Sequence, residues 1–209
     1  MTGSNLAKVS RLLVHLATHP THLPSYIAQG PLSKKGPLEL GLPWFSQSAI
    51  RFLDSFVTKS MRTFEFGSGG STIYFARRSA FVTSTEDNQD WLTRVQTELT
   101  KSGIANVELQ HRPYDFHNAS HFDESAYARS IPDRPFDIIV IDGAEMSAPV
   151  RPVCFQQAER RIAPGGIIIV DDSWRYPELR VTHHAKSFTE FRSTGPCRPG
   201  LTSTDIYFY

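Results

Sequence analysis

Cysteine is nearly absent: Cys154 and Cys197 are the only two in 209 residues. Neither stands in a CxxC or Cys/His ligand spacing, which excludes a disulfide framework and a structural zinc site. Long apolar runs are missing too. The N-terminal LLVHLA, Leu12 to Ala17, is too short to span a bilayer and is interrupted by His15. With no signal-peptide pattern either, the expectation is a cytoplasmic protein with no membrane partner. Nor is there an excess of charge of one sign: 22 basic and 21 acidic side chains leave +1, so no long-range field gathers phosphate backbones or acidic lipids. Nucleic acid is therefore not expected as a partner. The pairs Lys34–Lys35, Arg77–Arg78 and Arg160–Arg161 read as solvated faces. Repeats and low-complexity tracts are also lacking.

Forty per cent of the residues are apolar and 21% charged, enough for a packed core and too little charge for wholesale disorder. The length suits one structural unit, with an N-terminal helical extension and lid over residues 1–60 and a main domain over 61–209. Leu6, Val9, Leu12, Leu13 and Leu16 recur at helical steps, predicting an amphipathic helix that Pro20 ends. Four prolines and three glycines between Pro24 and Pro43 predict an irregular surface segment or lid. A second helix is expected over Ser46–Val57.

Beyond it, strands alternate with helices. Strands are predicted at Thr63–Phe66, Phe81–Ser84, Val107–Gln110, Phe136–Ile141 and Ile167–Val170, and helices at Thr72–Arg78, Gln89–Ser102 and Pro149–Ile162. This βαβ rhythm implies an α/β fold with a parallel sheet covered on both faces, as DIIVI and IIIV, apolar throughout, require of central strands. Ser187–Arg192 and Thr202–Tyr209 predict a closing hairpin whose last strand is antiparallel to the rest.

The segment FEFGSGGST, Phe64 to Thr72, puts a Gly-rich turn between a strand and a helix, where a nucleotide-like ligand binds. Without Cβ atoms Gly67 and Gly69 let the backbone touch a ligand, while the helix start aims free N–H groups at it. Glu65 can accept a hydrogen bond from a ligand ammonium, directly or through water. Glu86 follows Gly67 by nineteen residues at the end of the next strand, where an acid can accept both hydroxyls of a ribose. A dinucleotide fingerprint would need glycine at the position of Thr72.

These segments, with FDIIVIDGAE, APGGIIIVDD and the terminal hairpin, resemble the class I S-adenosylmethionine-dependent methyltransferases from about Trp44 onward. The family pattern is an acid followed by GxGxG; here Ser71 takes the place of the third glycine. The resemblance implies a seven-stranded, mostly parallel, doubly wound sheet with an antiparallel C-terminal hairpin strand. It also implies S-adenosylmethionine bound by Glu65, Gly67, Ser68, Gly69, Gly70, Ser71, Thr72, Glu86 and Asp142.

Asp142 ends the fourth strand and Asp171 with Asp172 the fifth, so all three emerge at the carboxyl edge of a parallel sheet. Such hard oxygen donors can hold Mg²⁺; they can equally bind the cofactor, cap a helix or face solvent. The arrangement resembles the metal-dependent catechol-type and macrolide-sugar O-methyltransferases, which implies a metal on Asp142, Asp171 and Asp172. Without a metal, a base is expected from a carboxylate or from the His183–His184 pair, making Asp142, Asp171 and His183 the catalytic candidates. His111, His117 and His121 in a long polar connection form no metal motif. Trp91 is a candidate flank for the adenine, and Trp174 and Tyr176 for the acceptor; Trp44 lies in the lid. The expected activity is O-methylation of a small molecule, against a non-catalytic cofactor-binding module or an NAD(P)-dependent oxidoreductase; homo-oligomerisation is left open.

Overall fold

The computed structural model describes residues 3–31, 33–115, 121–143 and 150–209, with the side chains of residues 3–6 excepted. Alternation of apolar and small residues builds seven strands: β1 Arg62–Phe66, β2 Phe81–Glu86, β3 Val107–His111, β4 Phe136–Ile141, β5 Ile162–Asp171, β6 Ser187–Thr194 and β7 Leu201–Phe208. Their order is β3-β2-β1-β4-β5-β7-β6. The strands from β3 to β5 pair in parallel, and β7 runs antiparallel to both β5 and β6. The expected doubly wound sheet and closing hairpin are therefore both present.

Because successive side chains of a strand face opposite ways, each central strand feeds two cores. Phe64, Phe66, Ile139, Ile141, Ile168 and Val170 pack on one face against helix α7, Val150–Glu159. Ile138, Val140, Ile167 and Ile169 pack on the other, against Ile50 and Leu53 of α4, Gln47–Phe56, and Tyr74 and Phe75 of α5, Gly70–Ala76. Helix α6, Gln89–Lys101, completes a smaller core with Val95 and Leu99. α4 begins where expected because the Ser46 side chain accepts a hydrogen bond from Ala49 N–H. The predicted start of α7 at Pro149 lies outside the described residues.

The N-terminal region departs from expectation in one respect. Between the long helix α1, Gly3–Thr18, and α4, the Pro-rich stretch is not wholly irregular: it contains two short helices, α2, Leu23–Gln29, and α3, Pro37–Leu40. Each carries a proline in its first turn, where the missing N–H costs nothing and the fixed φ favours a helical start. Gly41, at φ +61°, ends α3 in the left-handed conformation. A last short helix, α8, Leu179–Thr182, follows β5. Among the described residues no helix is long and apolar enough to cross a membrane.

Candidate active site

Strand order reverses between β1 and β4, and at such a switch point the connections leave in opposite directions and open a crevice at the carboxyl edge. The two chain segments that leave there touch: Asp142 N–H donates to Phe66 O at 3.0 Å. Gly67, at φ +90°, has no room for a side chain, since a Cβ would sit 2.7 Å from Asp142 O. A Cβ on Gly70 would lie 2.1 Å from Leu42 O, so the start of α5 is pressed against the segment following α3. α3, through Pro37 and Leu38, and that segment, through Leu42 and Trp44, roof the crevice. The resulting cleft holds about 440 Å³, floored by the Gly67–Ser71 turn and walled by Glu86, Trp91 and Asp142.

Glu65 and Thr72 do not line this cleft; they hold its floor from below. Thr72 Oγ1 accepts from Gly69 N–H at 2.9 Å and donates to Glu65 Oε2 at 2.6 Å, while Ser84, register partner of Glu65, donates to the same oxygen at 3.0 Å. The other oxygen, Oε1, is buried without a hydrogen-bond partner. Burial pushes the Glu65 carboxyl up to about 7, with Asp142 adding to the rise and the Ser71, Thr72 and Ser84 hydroxyls opposing it. A proton is thus bound more tightly in the folded chain than in the unfolded one, where the value is 4.5. Stability from this group is full below that value, falls as pH rises towards 7, and is flat above. Glu65→Gln removes the dependence: its stability advantage over the wild type should grow by roughly 3 kcal/mol across that window. Urea midpoints of both proteins at successive pH values measure it, and a constant difference would refute the assignment.

At the far wall Glu86 is aimed into the cleft. Its Oε2 accepts from Ser68 N–H at 3.0 Å and from Ser68 Oγ at 2.7 Å, and its Oε1 from Asn88 N–H at 3.1 Å. Beside it the Asp87 carboxyl is pushed up to about 6 by burial and by Glu86. Trp91 donates its indole N–H to Ser68 O at 2.7 Å, which fixes the ring beside the turn. These observations fit an adenosine bearing an amino acid: a floor of bare backbone at Gly67, Gly69 and Gly70, an acid on the wall beside it, and an orphaned buried carboxylate oxygen beneath.

The opposite end differs from the metal site the three aspartates suggested. Asp142 does line the cleft, but Arg151 lies 3.3 Å from its Oδ1 and also donates to Gly143 O and Asp171 O. Asp171 is fully buried, with Oδ1 accepting from Thr204 at 3.0 Å and Oδ2 from Arg198 at 3.0 Å. Asp172 Oδ1 accepts from Arg198 and Thr202, both at 3.1 Å, and Arg175 lies 3.7 Å from its Oδ2. A divalent cation here would face the guanidiniums of Arg151, Arg175 and Arg198, which already oppose the charge of these carboxylates. Among the described residues no group of three or more His, Cys, Asp or Glu side chains is arranged to hold a metal. The residues present do not fit Mg²⁺.

His183 is not brought to the cleft. Its ring packs edge-on against Phe188 and Tyr207, part-way down the sheet, and His184 pairs with Glu159 at 2.8 Å. His117 lies outside the described residues; His111 binds the Asp87 carbonyl. Tyr176 is buried beneath Arg151, 5.7 Å from ring centre to guanidinium. Arg151 and Arg198 both line the cleft, and local spacing did not reveal either. Arg198 also donates to Trp44 O at 3.1 Å and sits over its ring, tying the β6–β7 connection to the roof.

Fold and cleft together define a class I cofactor-binding α/β protein whose Gly-rich turn opens beside a cluster of acids. A family model described as a methyltransferase domain matches residues 64–173, and the chain belongs to that family, the class I S-adenosylmethionine-dependent methyltransferases. No curated protein matches. Similar solved structures include a Klebsiella pneumoniae protein assigned as an O-methyltransferase, 19% identical over 97% of this chain and 98% of that one, with TM-score 0.62. An O-methyltransferase from Bacillus cereus in complex with SAH is 20% identical over 85% and 92% of the two chains, with TM-score 0.61. An rRNA methylase from Streptococcus thermophilus is 13% identical over 84% and 98%, with TM-score 0.54. At these identities the likeness is one of fold.

Proposed function

We propose that the protein methylates a hydroxyl of a small molecule, with S-adenosylmethionine as donor and Asp142 as the proton acceptor. The observation that carries this is the shared cleft: the Gly67–Ser71 floor, the Glu86 carboxylate and the Asp142 carboxylate all line one concavity. The donor supplies a methyl group already made electrophilic by its sulfonium. What remains for the chain is alignment and proton removal. The bare backbone of the turn lets the ligand approach to contact distance, Glu86 can accept the ribose hydroxyls, and the roof covers one side of the cleft. Holding two reactants in attack geometry is worth on the order of 7–11 kcal/mol, so positioning is the larger contribution.

Burial raises the Asp142 carboxyl above its ordinary range, with Asp172 adding to the rise and Arg151 and Arg198 opposing it. A raised value makes it a better base towards a hydroxyl, and Arg151 keeps the carboxylate oriented. The small net charge favours a compact acceptor over a polynucleotide.

Calorimetric titration with S-adenosylmethionine, then a long incubation with a panel of small hydroxylated compounds and an assay for S-adenosylhomocysteine, tests the proposal. Binding with product from a hydroxylated acceptor is expected. Binding without turnover on any acceptor would select the non-catalytic module, and binding of NADH without S-adenosylmethionine an oxidoreductase.

A further inference from the structure

A second cleft of about 530 Å³ lies between α1 and the β6–β7 hairpin. It adjoins the first: Arg198 lines both, and Thr202 on its wall donates to Asp172 on the wall of the other. Its charge is one-sided. Lys8 and Arg11 project from α1 and Arg192 from β6, with Arg198 at the boundary, against the single acid Glu190. Glu190 is already paired, 3.2 Å from Arg180, and Arg198 is committed to Asp171 and Asp172. Among the described residues no carboxylate lies within ion-pair distance of Lys8, Arg11 or Arg192. Three uncompensated cations converge on one concavity in a chain whose net charge is only +1. The indole of Trp174, 62% exposed, forms another part of the lining.

We infer that this second cleft holds an anionic group, a phosphate or a carboxylate, of the methyl acceptor, whose hydroxyl then reaches into the first cleft past Arg198 and Asp172. The inference rests on the methyl-transfer proposal above and specifies its acceptor. Guanidiniums suit the role because their fork of donors matches two oxygens of such an anion. Trp174 offers a flat face to the uncharged body of the acceptor. The cations form a bounded patch inside a concavity, whereas a polynucleotide backbone is followed by an extended basic track. A small anion is therefore the occupant.

The test titrates inorganic phosphate, malonate and a single-stranded decauridylate into the full chain, with and without S-adenosylhomocysteine, following the arginine Nε–Hε resonances by NMR. Phosphate or malonate should give saturable shifts at Arg11 and Arg192, and whichever saturates identifies the anion. Arg192→Ala and, separately, Arg11→Ala should each weaken that binding about tenfold, the loss of one charge-assisted contact, while S-adenosylhomocysteine affinity stays unchanged. Shifts that never saturate, or that are the same in both variants, overturn the inference, as does tighter binding of the decauridylate than of either small anion. Saturation by phosphate or malonate with no binding of S-adenosylhomocysteine leaves an anion site but overturns its assignment to a methyl acceptor, and with it the methyl-transfer proposal.

Discussion

Replacing Arg198 with alanine is expected to destabilise the protein by about 3–5 kcal/mol, the usual cost of removing one partner from a buried ion pair. Asp171 is the reason. Its carboxylate is fully buried, and burial together with Asp142 already pushes its pKa well above the ordinary range even with Arg198 opposing them. Without the guanidinium that value rises further, so the folded variant must either bury an unpaired charge or hold a proton. The loss should therefore be larger at pH 8 than at pH 5, because protonation relieves the variant as pH falls. Lysine should restore little, since a single ammonium cannot span Asp171, Asp172 and the Trp44 carbonyl together. Urea denaturation of both variants at the two pH values measures this; equal losses at both would show that charge at Asp171 is not the cause.

Asp142→Asn should lower kcat by two to four orders of magnitude, the range of general-base assistance, with the affinity for S-adenosylmethionine nearly unchanged. Asparagine preserves the shape of the side chain and can still accept from Arg151, but it cannot take a proton. In the wild type, activity should fall as pH drops through the Asp142 value, which burial places above the ordinary carboxylate range; in the variant that limb should vanish. Single-turnover rates across pH separate this from a binding defect. A variant within a fewfold of wild-type kcat would move the proton-accepting role elsewhere in the cleft.

The central strands were legible in the sequence because DIIVI and IIIV, apolar on both faces, admit few structures other than a covered parallel sheet. FEFGSGGST was legible because backbone crowding at Gly67 and Gly70 leaves glycine no substitute. The short helices α2 and α3 were not, since the same prolines that break a helix interior also open a helix. The acids were located at the correct sheet edge, but their partners were hidden. Asp171 and Arg198 are 27 positions apart and meet only because β7 runs back beside β5. Nothing in local spacing announces that pairing, so three acids at one edge suggested a metal. A pair of acids ending a strand buried on both sides does require cations of some kind, and that signal points to arginine as readily as to magnesium. His183 misled for a related reason: nearness in the chain to Asp171 is not nearness to the cleft, because the chain has already turned through α8 towards Phe188.

The part of the chain matched by the family model starts at residue 64 and stops at residue 173, so it contains the floor of the cleft and none of its roof. Leu38 and Trp44 precede it, and the Arg198 that fastens Trp44 follows it. Engine and visor are thus encoded in separate stretches, the visor split between the two flanks and clasped by one guanidinium. Selectivity can drift through edits to those flanks while the methyl-transfer machinery stays untouched. Conversely, moving either flank alone into a relative would deliver half a clasp; the smallest graft that carries the enclosure is both together.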